Sequence, residues 1–188
     1  RFPLTDKIQL GKHIPLGDLI FLDQERCIQC GRCIRFQENL VDDPVLNFYH
    51  RGRRTDIVSY SDPPFDSYWS GNTTDICPVG ALTTADFRFE ARIWEMEQKS
   101  TVCSHCPVGC NLTVDVRRDP ATGGITIQRV MPRQHEAVNE IWICDKGRFA
   151  HHFTAHPDRL QAPLIRDEDG ELAPVSWEKA LERVTTGL

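Results

Sequence analysis

Eight cysteines fall into two sets of four, each with three close together and one far downstream. The first set is Cys27-x2-Cys30-x2-Cys33 with the remote Cys77, which Pro78 follows; the second is Cys103-x2-Cys106-x3-Cys110 with the remote Cys144. No cysteine is left over. A cubane cluster takes four thiolates, and a tight loop carrying three of them plus one distant residue is a known way for a chain to supply them. Main-chain N–H groups of such a loop can also point at the cluster sulfurs and help set the reduction potential. Disulfides are the poorer reading, because dense pairing belongs to short secreted chains and this one has 188 residues with no apolar signal-like stretch. Structural zinc usually takes two separated pairs of ligands rather than three plus one, but it remains an alternative in which the chain is an assembly module without redox chemistry. The pattern points to two [4Fe–4S] clusters, held by Cys27, Cys30, Cys33 and Cys77 and by Cys103, Cys106, Cys110 and Cys144.

Other residue types contribute little chemistry. The seven histidines are scattered, and none begins a His-x3-Cys-x2-Cys pattern. His105 reads as a polar neighbour, since four cysteines complete the second site without it, and His151-His152 reads as surface. Dinucleotide, Walker and nucleophile-elbow motifs are missing, so no independent catalytic centre is expected here. Asp167-Glu168-Asp169-Gly170 lacks the rest of a calcium loop and reads as a solvated turn. A net charge of −5 with mixed signs carries no nucleic-acid footprint and no polybasic patch. The longest apolar stretch, Ile14 to Leu22, is broken by Pro15, Gly17 and Asp18, so no direct membrane insertion is expected.

The elements that must position these thiolates are partly readable. Residues 1–22 form a connecting segment with a short strand, and a helix is predicted over Gly31–Leu40, ended by Asp42, Asp43 and Pro44. Residues 47–75 are turn-rich, an excursion that returns Cys77 to the first loop, with metal closure offsetting the loop entropy. Phe87 to Gln98 is amphipathic but ambiguous between strand and helix. Leu112–Val116 and Ile125–Ile127 alternate apolar and polar residues around the turn Asp119–Gly124, which predicts a β-hairpin beside the second site. Cys77-Pro-Val-Gly80 and Cys106-Pro-Val-Gly109 echo each other, which shared turn chemistry explains. Ser176 suits an N-cap for a helix with Trp177, Ala180, Leu181 and Val184 on one face. That face needs a surface to lie against, and the sequence reads as a fragment of a longer protein. Each remote cysteine closes its own long loop, so losing one is expected to unfold its own module and spare the other.

Cys77-Pro78 resembles the Cys-Pro ending of bacterial ferredoxins, but position 37, where a second cluster's cysteine would stand, is Gln37. The first module therefore resembles a ferredoxin fold reduced to one cluster. More widely, the segments Cys27-Ile-Gln-Cys-Gly-Arg-Cys-Ile-Arg-Phe36, Pro64-Phe-Asp-Ser-Tyr-Trp-Ser-Gly-Asn-Thr-Thr-Asp-Ile-Cys-Pro-Val-Gly-Ala-Leu82 and Cys144-Asp-Lys-Gly-Arg148 resemble the large iron–sulfur subunit of bacterial NADH:quinone oxidoreductase, respiratory complex I. Pro157–Arg166 and Ser176–Leu181 resemble the entry to a molybdopterin-oxidoreductase-like domain.

The resemblance implies an α+β architecture: a ferredoxin-like single-cluster module over 1–95, a small β-rich [4Fe–4S] module of the molybdopterin-oxidoreductase type over 96–152, and the truncated start of a molybdopterin-oxidoreductase-like α/β domain over 153–188. It implies that the first cysteine set lies on the electron route from NADH and flavin towards quinone, and that the second binds an off-path cluster. Lys146 corresponds to a basic residue that links cluster and pterin in molybdopterin enzymes, although no molybdopterin is expected in this fragment. The partners implied are the flavoprotein and iron–sulfur subunits of the peripheral arm. The location implied is cytoplasmic, on the inner face of the bacterial plasma membrane. The family's N-terminal [2Fe–2S] domain and its His/Cys-ligated [4Fe–4S] site are expected upstream of Arg1. A formate dehydrogenase catalytic subunit joins similar modules and is the alternative, against which Gln37 argues.

Overall fold

The computed structural model describes residues 8–120, 123–167 and 169–187, in two units that divide after His151. The architecture mixes small antiparallel sheets with short helices. In the first unit, β1 (Ile14–Pro15), β2 (Ile20–Leu22) and β5 (Leu82–Thr84) form one sheet in the order β1-β2-β5, with Leu22 opposite both Ile14 and Leu82. Helix α1 (Arg32–Asn39) matches the predicted helix nearly end for end. It turns Cys33, Ile34, Phe36 and Gln37 inward, the i, i+1, i+3, i+4 spacing of one helical face.

The turn-rich excursion contains more regular structure than its composition suggests. β3 (Leu46–Tyr49) and β4 (Asp56–Ser59) pair as a hairpin, and α2 (Asn72–Ile76) leads directly into Cys77. Only Leu46 and Ile57 of that hairpin are buried, too few to give its strands a clear alternating pattern in the sequence. The main core gathers Leu16, Ile20, Leu22, Ile34, Leu46, Ile57, Phe65, Ala81 and Leu82 around Cys33.

The ambiguous Phe87–Gln98 stretch resolves into turns and a short 3-10 helix (Ile93–Glu95), and a strand begins only at its end. β6 (Glu97–Val102) is the exposed edge of a second sheet with β7 (Asn111–Arg118) and β8 (Ile125–Pro132), in the order β6-β7-β8. The predicted hairpin is present and longer than its apolar alternation indicated. Its turn is closed by Asp119 N–H to the Gly124 carbonyl at 2.8 Å, although residues 121 and 122 lie outside the described part. A bulge between Asp115 and Val116 shifts the register. The core beneath this sheet is thin: Cys103, Leu112, Val130 and Ile143, flanked by Cys110, Val114 and Ile127. Two of its four buried members are proposed ligands or their neighbours in sequence, which makes a metal cross-link a natural source of stability there.

The second unit holds a hairpin of β9 (Leu164–Arg166) and β10 (Leu172–Pro174), followed by α4 (Trp177–Gly187). The Ser176 hydroxyl accepts from Lys179 N–H at 3.3 Å, the capping role assigned to it. Trp177, Leu181 and Val184 are exposed. Among the described residues no helix is long and apolar enough to cross a membrane.

Candidate metal centres

The first cysteine loop is built by turns that expose sulfur and backbone together. The Asp23 side chain accepts from Glu25 N–H at 3.1 Å and Arg26 N–H at 3.3 Å, and the Cys27 amide bonds the Asp23 carbonyl at 3.2 Å. The chain then passes through left-handed conformations at Gln29 (φ 56°) and Gly31 (φ 67°) before α1 begins. Such a reversal holds Cys27, Cys30 and Cys33 on one side of the loop. Glycine meets its steric demand at position 31, where an added Cβ would lie 3.2 Å from the Arg35 guanidinium and 3.4 Å from the Phe48 ring. The Gln29 amide anchors the loop to the excursion through the Thr55 carbonyl at 2.8 Å.

Cys77 arrives from the end of α2, and the turn at Gly80 (φ 61°) brings Ala81 N–H within 3.3 Å of its sulfur. All four thiols line one small cavity, walled by Leu22, Ile57, Val79 and Leu82. Burial, followed by the proximity of its neighbours Cys27, Cys30 and Cys77, pushes the Cys33 thiol up to about 12. Burial likewise raises Cys27, with Cys77 and Cys30 adding to the effect.

The second loop is a hairpin connection. β6 ends at Val102, β7 starts at Asn111, and these two residues pair across the ladder, so Cys103–Cys110 spans the turn. Cys103 N–H bonds the Cys110 carbonyl at 2.8 Å, and Gly109 takes φ 65°. Gly80 and Gly109 therefore adopt the same left-handed turn, in keeping with shared turn chemistry as the source of the Cys-Pro-Val-Gly echo.

Asn139 carries the remote cysteine back to this loop. Its side chain accepts from Asn111 N–H at 2.9 Å and donates to the carbonyls of Arg133 and Trp142, the latter two residues before Cys144. Cys144 caps helix α3 (Asp145–Phe149), its sulfur accepting from Gly147 N–H at 3.4 Å. A Cβ on Gly147 would stand 3.5 Å from the Cys103 sulfur and 3.7 Å from that of Cys144, so the missing side chain leaves the space between these thiols open. Cys103, Cys106, Cys110 and Cys144 line one cavity together with Tyr68, His105 and Lys146. Burial raises the Cys110 thiol, followed by Cys103, Cys144 and Cys106.

Both groupings made from sequence spacing thus correspond to spatial groupings, and all eight cysteines are free thiols. A polycationic centre would hold the four cysteines of each small cavity as thiolates. The donor set, the inward N–H groups and the open space at Gly147 fit a [4Fe–4S] cluster at each cavity. A separate cleft, lined by Asp23, Phe87, Arg88, Arg129 and Phe149, contains none of the eight cysteines.

Sequence reasoning missed what joins the two sites. Asp145, next to Cys144, is buried and accepts from Ser70 N–H at 3.0 Å, from Gly71 N–H at 2.8 Å and from the Ser70 hydroxyl. Burial nevertheless raises its carboxyl above the ordinary value, with those hydrogen bonds and Arg148 opposing the rise. Asn72 exchanges two hydrogen bonds with the Ile143 backbone, at 2.8 and 3.2 Å. Arg148, 3% exposed, pairs with Asp75 and donates to the Val130 carbonyl at 3.4 Å. Gly71 is required here, because a Cβ would collide with the Arg148 side chain. Phe36 of α1 also packs on Trp142, with ring centroids 4.8 Å apart.

Two further residues differ from their sequence readings. Gln37 is fully buried and accepts from the Ser67 hydroxyl at 3.0 Å, so the position that lacks a cysteine instead ties α1 to the excursion. His151 is buried, its ring nitrogen 3.1 Å from the Arg148 carbonyl, and only His152 of that pair is exposed. Nothing local distinguishes the two histidines; the 3-10 turn that follows α3 sets the first inward against the Arg148 carbonyl.

Residues 17–83 match the family described as NADH-quinone oxidoreductase subunit 3, ferredoxin-like domain, and residues 99–152 match NADH-ubiquinone oxidoreductase NDSU1/NuoG-like, 4Fe-4S domain. NADH-quinone oxidoreductase subunit 3 of Thermus thermophilus is 45% identical across 100% of this chain and 23% of its own length. The corresponding NADH-quinone oxidoreductase subunit of Streptomyces coelicolor is 42% identical over 94% of this chain and 20% of its own, and that of Mycobacterium tuberculosis is 42% identical over 97% and 22%.

The chain carries two domains of NADH-quinone oxidoreductase subunits.

It spans between a fifth and a quarter of the length of these relatives. Within that span it carries a ferredoxin-like domain and a 4Fe-4S domain, one around each cysteine cavity.

Proposed function

We propose that this chain is an electron-transfer segment of an NADH-quinone oxidoreductase, holding two [4Fe–4S] clusters through Cys27, Cys30, Cys33 and Cys77 and through Cys103, Cys106, Cys110 and Cys144. The observation that carries the reading is the gathering of two complete sets of four free thiols into two separate cavities, inside two domains of that family. Such clusters supply one-electron redox chemistry without acid–base groups. The chain's own residues bind, orient and desolvate: Leu22, Ile57 and Leu82 shield the first site, while Ala81 and Gly147 aim N–H groups at cysteine sulfurs.

The reading extends to the whole protein. It works as one subunit of an oxidoreductase that moves electrons from NADH and flavin towards quinone, beside flavoprotein and iron–sulfur subunits of a peripheral arm on the cytoplasmic face of the membrane. Three modules organise this stretch, over 1–95, 96–152 and 153–188, and the last begins a molybdopterin-oxidoreductase-like domain that holds no molybdopterin within these residues.

Iron and acid-labile sulfide in the anaerobically assembled protein test the proposal. About eight of each per chain are expected, with brown absorbance bleached by dithionite. A value near four would remove one site. Stoichiometric zinc without sulfide would return the chain to a structural role.

Lys146 is assigned to the second site because it lines that cavity. A cation near a cluster stabilises the more negative, reduced form. Lys146→Met is therefore expected to lower the second midpoint potential and leave the first unchanged, read by redox titration with EPR detection. Equal midpoints would return this lysine to an ordinary solvated surface role.

A further inference from the structure

The second cysteine cavity is completed by a residue from outside its own domain. Tyr68 belongs to the ferredoxin-like stretch 17–83, yet it lines the cavity with Cys106, Cys144 and Lys146. Its backbone is held on both sides. Ser67 and Ser70 are buried, the first bonded to Gln37 at 3.0 Å and the second to Asp145, while the Tyr68 carbonyl accepts from Asp145 N–H at 2.8 Å. The residue next to Cys144 is thus bonded directly to Tyr68. The ring stands edge-on to Trp69, with centroids 6.0 Å apart. The residue is 59% exposed, so burial of the ring does not explain its position.

We infer that Tyr68 is a positioning residue of the second redox site, its hydroxyl serving as a hydrogen-bond donor to the Cys144 sulfur that favours the reduced state. The inference rests on the proposal that the second cavity holds a [4Fe–4S] cluster. Its physical basis is that reduction adds negative charge shared by the cysteine sulfurs, and an O–H donor bonds the more negative sulfur more strongly. Removing the donor therefore destabilises the reduced form relative to the oxidised one. The geometry also gives the ferredoxin-like domain a hand in setting the potential of a cluster it does not itself ligate.

The test is an EPR-monitored redox titration of the complete subunit within its complex, comparing wild type with Tyr68→Phe, which keeps the ring and deletes only the hydroxyl. The expected result is a lower midpoint for the second cluster by about a tenfold change in the reduced-to-oxidised ratio, about 59 mV for one electron, with the first cluster's midpoint unchanged. Equal second midpoints in the two proteins would overturn the role of Tyr68 while leaving the cluster in place. Loss of the second signal in Tyr68→Phe would also overturn it, because a donor that tunes a potential is dispensable for assembly. No second signal in the wild type would remove the cluster proposal and this inference together.

Discussion

Cys77→Ala is expected to abolish the first EPR signal, to reduce bound iron from about eight to four or fewer per chain, and to weaken the second signal as well. Cys77 supplies the only remote thiol of the first cavity and terminates α2, with Ala81 N–H bonded to its sulfur. Without it the proposed cluster could no longer close the loop over residues 47–75. The effect does not stop at the first site, because α2 starts in the segment that grips the second. Ser70, Gly71, Asn72 and Asp75 together hold Ile143, Asp145 and Arg148 on either side of Cys144. These contacts predict a different outcome from the independence expected from loop closure alone, in which the second module is spared. The measurement is iron content with EPR of both clusters. A second signal retained at full intensity would show that residues 70–75 keep their grip without the anchor at Cys77.

Arg148→Ala is expected to have the largest effect of any substitution that touches no proposed ligand. Its guanidinium is nearly inaccessible, pairs with Asp75, and bonds Asn72 and the Val130 carbonyl. Truncation leaves Asp75 without its partner and a void beneath Gly71. Breaking a buried ion pair from one side costs about 3–5 kcal/mol. For a chain of this size that corresponds to a fall in melting temperature on the order of 10 °C. Lysine cannot substitute fully, since a single ammonium cannot satisfy partners arranged around a planar fork. Thermal unfolding of the assembled protein checks the value, and a fall of less than about 2 °C would mean that the pair contributes no more than an exposed one.

The parts of the fold that the sequence made legible are those set by local rules. The limits of α1 follow from Gly31 before it and the Asp42-Asp43-Pro44 stop after it, and the β7–β8 hairpin follows from alternation around a glycine-containing turn. Ser176 announces its helix through an N-cap interaction only three residues long. The two sets of cysteines are legible for a similar reason, since close spacing confines three thiols to one loop and leaves one remote thiol for each.

Contacts between distant segments left no such mark. The β3–β4 hairpin buries too little to impose a pattern, and β6 looks polar because it is an exposed edge that owes its place to pairing with β7. Asp145 and Arg148 carry no local signal of burial. Their burial depends on Gly71 and Ser70 arriving from more than seventy positions away. Tyr68 likewise belongs to the second cavity only because the excursion folds back against α3. Sequence by itself determined which thiols group together, because chain connectivity limits where closely spaced residues can go. Tertiary structure alone decided what surrounds each group and how the two are joined, because buried hydrogen bonds and ion pairs form wherever packing brings their partners together.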